Sequence, residues 1–316
     1  MISRRLLRIK IMQLLYAFFN SADDSINKYE KDLIFSINKT YDLYHYLLLL
    51  IIEIADYAQS RIEIALEKRM PTYDDIHPNT RFVDNRIINQ IRINESLLHY
   101  LNNIKLSWTN YPEMIKKIYG EISQDVYFKE YMNKKECSYD DDKQLVVWIY
   151  SDIIQHFELL DQNLEDQSIF WNDEMEFVIS NIIKTLKKFR ESDGEHSRLL
   201  SLYKNDDDKE FVKKLFRKVA VNHKEYRSLI EDFTKNWDID RIAFMDILIM
   251  QMAVAEAIEF PSIPTKVTFN EYLEIAKYYS TSKSSLFING VLDKIFQHLK
   301  DTNRIVKQGR GLIGEV

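Results

Sequence analysis

The chain has 316 residues, 46% of them hydrophobic, and a formal net charge of −6 from 43 Lys and Arg against 49 Asp and Glu. That apolar content supports a real core in one large or two average domains, and only 6 Gly and 5 Pro leave little turn chemistry for a sheet protein, so the composition points to an all-α fold. A single cysteine, Cys137, excludes an internal disulfide framework and any multi-cysteine metal site, and it fits a reducing cytoplasm.

The first nineteen residues, MISRRLLRIKIMQLLYAFF, hold Arg4, Arg5, Arg8 and Lys10 and no acid. Without them the balance is 39 cations against 49 acids, a net of −10, so the positive end is local. A signal peptide is disfavoured: Lys10 and Gln13 interrupt the apolar run, and no small-residue cleavage site precedes SADDS. Residues 5–19 read instead as an amphipathic helix with Leu7, Ile11, Leu14, Leu15 and Phe18 on one face and Arg4, Arg5 and Arg8 along a flank.

A second helical pattern runs over about 27–69 and includes the run LYHYLLLLIIEIADYA at 43–58. That run contains His45, Glu53 and Asp56 and is shorter than the roughly 20 residues of a membrane span, which predicts a buried helix. A proline-bearing loop follows at 70–80, then helices at 82–106 and 112–133, a charged loop at 137–144, and helices at 144–160 and 171–190. Breaks at 192–196 and 204–210 lead to helices at 209–219, 222–235 and 237–260, the last with Asp238 as N-cap. FPSIP ends that helix, another continues to about 280, a final one spans 285–300, and the tail 301–316 reads as loose.

Recognisable catalytic chemistry is absent from this pattern. The chain has no glycine-rich nucleotide loop, no H-E-x-x-H, and seven histidines scattered singly, so the reading is of a non-enzyme with no cofactor and no metal. The triplets Asp140–Asp142 and Asp206–Asp208 lack the spacing of a calcium loop and read as solvated loops, and Cys137 as a free surface thiol. The arginines at the start are the anomaly. Cations near a helix N-terminus oppose its dipole, and none of these has an acid at i+4, so a bound polyanion would relieve both conflicts; an exposed solubility face is the other reading.

Residues 237–299 carry a series of motifs: Trp237 with Arg241, then Pro261 and Pro264, then Asn270, Glu271, Glu274, Ala276 and Lys277, and finally Phe287 with NGVLDKI at 289–295. In this order they resemble the C-terminal half of the NusB family of transcription antitermination factors, and Gln13, Leu15 and Tyr16 after the Arg-rich start resemble the family's first helix. The resemblance implies a NusB-like helical bundle. Residues 1–20 would form its first helix and 206–300 its RNA- and partner-binding region, with 21–205 a helical insertion of unassigned role and 301–316 a flexible tail.

It also implies a cytoplasmic factor that binds single-stranded boxA-like RNA of ribosomal RNA leaders together with the ribosomal small-subunit protein NusE, within the RNA polymerase elongation complex and without a membrane. By carry-over, Arg4, Arg5, Arg8, Tyr279, Lys283 and Phe287 would contact RNA, and Tyr16, Asp240, Ile242 and Asp246 would face the protein partner. Gly290, unfavourable in a helix, suggests a close approach by another helix. Two departures bear on the RNA path: Gln251 stands where the family usually has Arg, and Lys283 where an acid is common. The alternative function is a helical protein-interaction module without specific RNA binding.

Overall fold

The computed structural model describes residues 3–22, 25–172, 174–203, 205–235, 242–281 and 284–314, and the regular structure among them is helical throughout. Trp237, Asp238, Asp240, Arg241 and Lys283 lie outside the described residues. The chain divides into two compact units, one of Met1–Ile37 with Tyr203–Val316, the other of Asn38–Leu202.

Helix α1 (Arg4–Phe19) starts where Ser3 accepts a hydrogen bond from the Leu6 amide, an N-cap that satisfies one of the unpaired donors of the first turn. Leu7, Ile11 and Leu15 of the expected stripe are buried, while Leu14 and Phe18 are half-buried. Helix α2 (Ile26–Leu66) begins in the same unit, with the Tyr29 ring 5.3 Å from Phe18. Beyond Ile37 its residues belong to the second unit.

In that second unit the apolar run of α2 is buried on nearly every side, including Leu43, Tyr46, Leu47, Leu50, Ile51 and Ile54, which accounts for its continuous hydrophobicity. No helix among the described residues is long and apolar enough to cross a membrane. Trp108 stacks on Tyr46 at 3.8 Å and donates its indole N–H to the Tyr46 carbonyl. The loop expected at 70–80 contains a single turn, α3 (Tyr73–Ile76), closed by a reciprocal Thr72 and Asp75 capping box.

Two expected helices are split by polar caps. Asn94 separates α4 (Arg86–Arg92) from α5 (Glu95–Asn103) by accepting from the Leu97 amide, and Asp125 separates α6 (Pro112–Gln124) from α7 (Val126–Asn133) by accepting from Tyr127. The segment expected as a charged loop at 137–144 is instead the start of α8 (Tyr139–Trp148). Ser138 and Asp141 form its capping box, and Asp140, Asp141 and Asp142 occupy its first turn, where acids are favoured by the helix dipole. Asp142 is buried and accepts from Arg86 Nε at 2.7 Å and Tyr131 Oη at 2.9 Å, so this triplet is no solvated loop. Cys137 is half-buried rather than a surface thiol. A π-helical turn at Ile149–Ile153 and a 3-10 turn at Ile154–His156 lead to α9 (Glu158–Gln167) and α10 (Met175–Leu186).

The chain returns to the first unit with α11 (Asp206–Phe233), one continuous helix where two are expected, because Val219 and Ala220 carry its buried face across the proposed break. Its first turn is the second aspartate triplet. Helix α12 (Phe244–Glu259) is the centre of the unit: every residue from Asp246 to Ala257 is buried, against α1, α11, α13 (Thr265–Tyr279) and α14 (Ser284–Asp301). Helix α14 buries Ile288, Val291, Leu292, Ile295, Phe296 and Leu299. Gly290 lies on its exposed side with nothing within 4 Å of where a Cβ would stand, so no close helix approach explains it.

The tail is also not loose. Ile305 is buried, Gln308 donates its amide to the Pro261 carbonyl at 3.0 Å, and Lys307 Nζ donates to the Ala257 carbonyl at 2.8 Å. Carbonyls left open at the end of α12 thus find donors in the chain that follows α14.

Candidate functional site

Each arginine of α1 meets an acid brought to it from far along the sequence. Arg4 Nε lies 2.7 Å from Asp208 in the first turn of α11, and Arg5 donates through Nε and Nη2 to both oxygens of Glu271 on α13, at 2.9 and 2.8 Å. Arg8 donates to both oxygens of Glu256 on α12 at 2.7 Å. The polyanion invoked to neutralise the cluster is therefore supplied in part by the fold itself.

The three are not equivalent. Arg8 is only 2% exposed and Glu256 is 0% exposed, and the remaining capacity of Glu256 is filled by Thr268 Oγ1 at 2.9 Å and Tyr272 Oη at 3.0 Å. Burial alone would lower the Arg8 pKa, but Glu256 outweighs it and holds the guanidinium above its ordinary value. The same burial, reinforced by Glu256, pushes the Tyr272 phenol well up. This is a satisfied internal network, and it corrects the expectation that Arg8 contacts RNA. Arg4 and Arg5 keep 38% and 45% of their side chains exposed. Glu271 is held below the usual carboxylate range: burial opposes ionisation, but the Arg5 hydrogen bonds and the Arg8 charge prevail.

Glu271, Glu274 and Tyr278 share a flank of α13 by their i, i+3, i+7 spacing, and the Arg5 charge also feels Glu274. Tyr278, which motif matching passed over, is 80% exposed, while the expected Tyr279 and Phe287 are half-buried. Between α13 and the start of α14 lies an open groove of about 270 Å³ lined by Asn270, Glu274, Lys277, Leu286 and Asn289. The fourth cation expected here, Lys283, lies outside the described residues. Gln251, suspected of altering the RNA path, is buried and donates Nε2 to the His223 carbonyl at 2.8 Å, so it ties α12 to α11.

The residues expected to face a protein partner separate. Tyr16 is 43% exposed with its ring 5.6 Å from Phe244, itself 37% exposed, and Phe19 closes on the same Phe244 at 6.3 Å. Ile242, half-buried, adjoins this aromatic patch in sequence. Asp246 is different: it is buried and accepts a hydrogen bond from Ser280 Oγ, an arrangement that ties α12 to the end of α13 and removes Asp246 from any partner surface. Asp240 lies outside the described residues. Phe244 was missed because nothing in its local sequence distinguishes an exposed helix-start aromatic from a core one.

The model of the NusB family matches residues 180–297, beginning ahead of the motifs and ending within α14. A transcription antitermination protein NusB of Salinibacter ruber is 38% identical over 139 residues, 42% of this chain and 87% of that protein. The chain belongs to the NusB family. Transcription antitermination proteins NusB of Chloroherpeton thalassium (39% identical over 105 residues, 33% of this chain and 50% of the relative) and Natranaerobius thermophilus (36% over 95 residues, 30% and 68%) are also similar to it. No solved structure matches the chain. Family membership accords with the helical bundle of the first unit, where Glu271 of the N-E-x-x-E motif serves as the partner of Arg5 and Ile288, Val291, Leu292 and Ile295 around NGVLDKI form the buried face of α14.

Proposed function

We propose that this chain is a non-enzymatic, cytoplasmic transcription antitermination factor that holds single-stranded boxA-like RNA jointly with the ribosomal small-subunit protein NusE, in the elongation complex with RNA polymerase. The observation that carries the reading is the division of α1. One arginine is sunk into an ion-paired core, while Arg4 beside the start of α11 and Arg5 beside a flank of α13 that ends in the exposed Tyr278 stay partly exposed. Guanidiniums make bidentate contacts to phosphates, and exposed rings stack unpaired bases. In this reading Tyr279, Phe287 and Lys283 extend the RNA surface, and Tyr16 with Phe244, Ile242 and Asp240 receives NusE.

A second reading, a helical protein-interaction module, draws on the same ion pairs: Arg4 and Arg5 already have carboxylate partners that a phosphate must displace or share. Binding of a fluorescent boxA-like RNA with and without NusE separates the two. The RNA reading predicts measurable binding that tightens at least tenfold, about 1.4 kcal/mol, when NusE is added. Binding of NusE with no RNA affinity in either sample would leave only the interaction module.

A further inference from the structure

We infer that the RNA surface continues past Arg4 onto a second phosphate-holding patch, formed by Lys214 and Lys218 of α11, with Lys214 beside the ring of Phe260. This rests on the RNA reading above and extends it to nucleotides flanking the boxA-like core. Lys214 and Lys218 stand one turn apart and share a single carboxylate, Glu259, at 3.4 and 2.8 Å, so two ammonium groups face one acid. Their side chains remain 44% and 41% exposed. Like charges at i and i+4 repel on a helix surface. A cation near the end of α12 is useful, since helix C-termini favour positive charge, but Lys307 already donates there to the Ala257 and Phe260 carbonyls and Lys214 to the Glu259 carbonyl at 2.6 Å. The end of α12 thus accounts for Lys214 and leaves Lys218, which among the described residues meets only the Glu259 carboxylate, as the added cation.

Continuity with Arg4 runs through rings. The Arg4 guanidinium lies 5.3 Å from the Phe211 ring centroid, Phe211 and Phe260 are 4.9 Å apart, and Lys214 Nζ lies 5.1 Å from the Phe260 centroid. Phe211 is buried, whereas Phe260 is half-buried and leaves part of its ring at the surface. Cations beside a partly open aromatic ring suit an unpaired nucleotide, with its phosphates on the cations and its base against the ring. The wider charge distribution agrees. Residues 38–202 carry 19 Lys and Arg against 28 Asp and Glu, a net of −9, while the remainder carries 24 against 21, a net of +3. The positive charge of an acidic protein is thus concentrated in the unit that bears Arg4 and this patch. The contacts are to backbone phosphates and add length-dependent affinity without sequence preference.

The test compares the full-length protein and a Lys214→Gln/Lys218→Gln variant, each binding two RNAs: a boxA-like core alone, and the same core with six uridines added at each end. Wild type should bind the longer RNA more tightly, with a log–log salt slope steeper by about 1.4, for two contacts at about 0.7 each. The variant should lose that increment while binding the core as wild type does, and its unaltered thermal melt would show that folding is intact. An increment that persists in the variant, or is absent from wild type, overturns the patch and leaves the core reading standing. No binding of the core to wild type, even with NusE, overturns the RNA reading and the patch with it.

Discussion

Arg5 and Arg8 stand one turn apart on the same helix and make the same bidentate contact, yet their surroundings give them different work. The Arg8 pair has lost its water, so removing one partner leaves a buried charge without compensation. Arg8→Ala is expected to cost about 3–5 kcal/mol in urea unfolding, whereas Arg5→Ala should cost less than about 1 kcal/mol because its pair is screened at the surface. Local sequence could not separate them: their acids lie 248 and 266 residues away, beyond any search at i+4. A second residue-scale prediction concerns His45, 1% exposed, its Nδ1 2.8 Å from the Tyr41 carbonyl and its ring stacked on Tyr100 at 3.7 Å, with Asp42 the nearby charge. Burial lowers its pKa from 6.5 to about 4, against the smaller opposing effects of the Tyr41 carbonyl and Asp42. Between those values the unfolded chain binds the extra proton, so this contribution to stability is intact above about pH 6.5 and falls on acidification by at most about 1.4 kcal/mol per unit. Urea midpoints of wild type and His45→Phe at pH 7 and pH 5 should diverge; parallel shifts would show that His45 does not carry the effect.

At the scale of elements, helix existence was legible and helix ends were not. Period and apolar stripe located α1, α2 and the last three helices, since those signals extend over several turns. The breaks at Asn94 and Asp125 and the starts at Ser138 and Asp206 depend on single polar side chains meeting backbone amides or distant cations, and an aspartate triplet reads equally well as a loop or as an acidic first turn. Glycines give the sharpest test of packing at this scale. Gly290→Ala, in a helix with open space at the Cβ, should raise stability by about 1 kcal/mol. Gly311→Ala would place a Cβ 1.8 Å from the Pro261 carbonyl oxygen and should dislodge the tail, seen as a lowered melting temperature and faster amide exchange at Gln308. An unchanged melt for Gly311→Ala would mean that the tail contributes nothing to the bundle.

For the whole molecule, the motifs near the C-terminus disclosed the family, and the all-helical composition disclosed the fold class. The unit of residues 38–202 could be read for its core but not for its role, because a buried helix such as the middle of α2 encodes packing and carries no chemistry of its own. The candidate site was legible only as residue types in the family's order, and the division of its arginines into buried and exposed emerged only with the acids placed by tertiary structure. That division is tested most directly by the salt dependence of boxA-like RNA binding in an Arg4→Gln/Arg5→Gln variant, where glutamine retains a donor toward Asp208 and Glu271. Affinity should drop at least tenfold and the log–log salt slope should flatten by about 1.4, for two lost phosphate contacts. Affinity and slope equal to wild type would contradict the assignment of the exposed arginines to RNA.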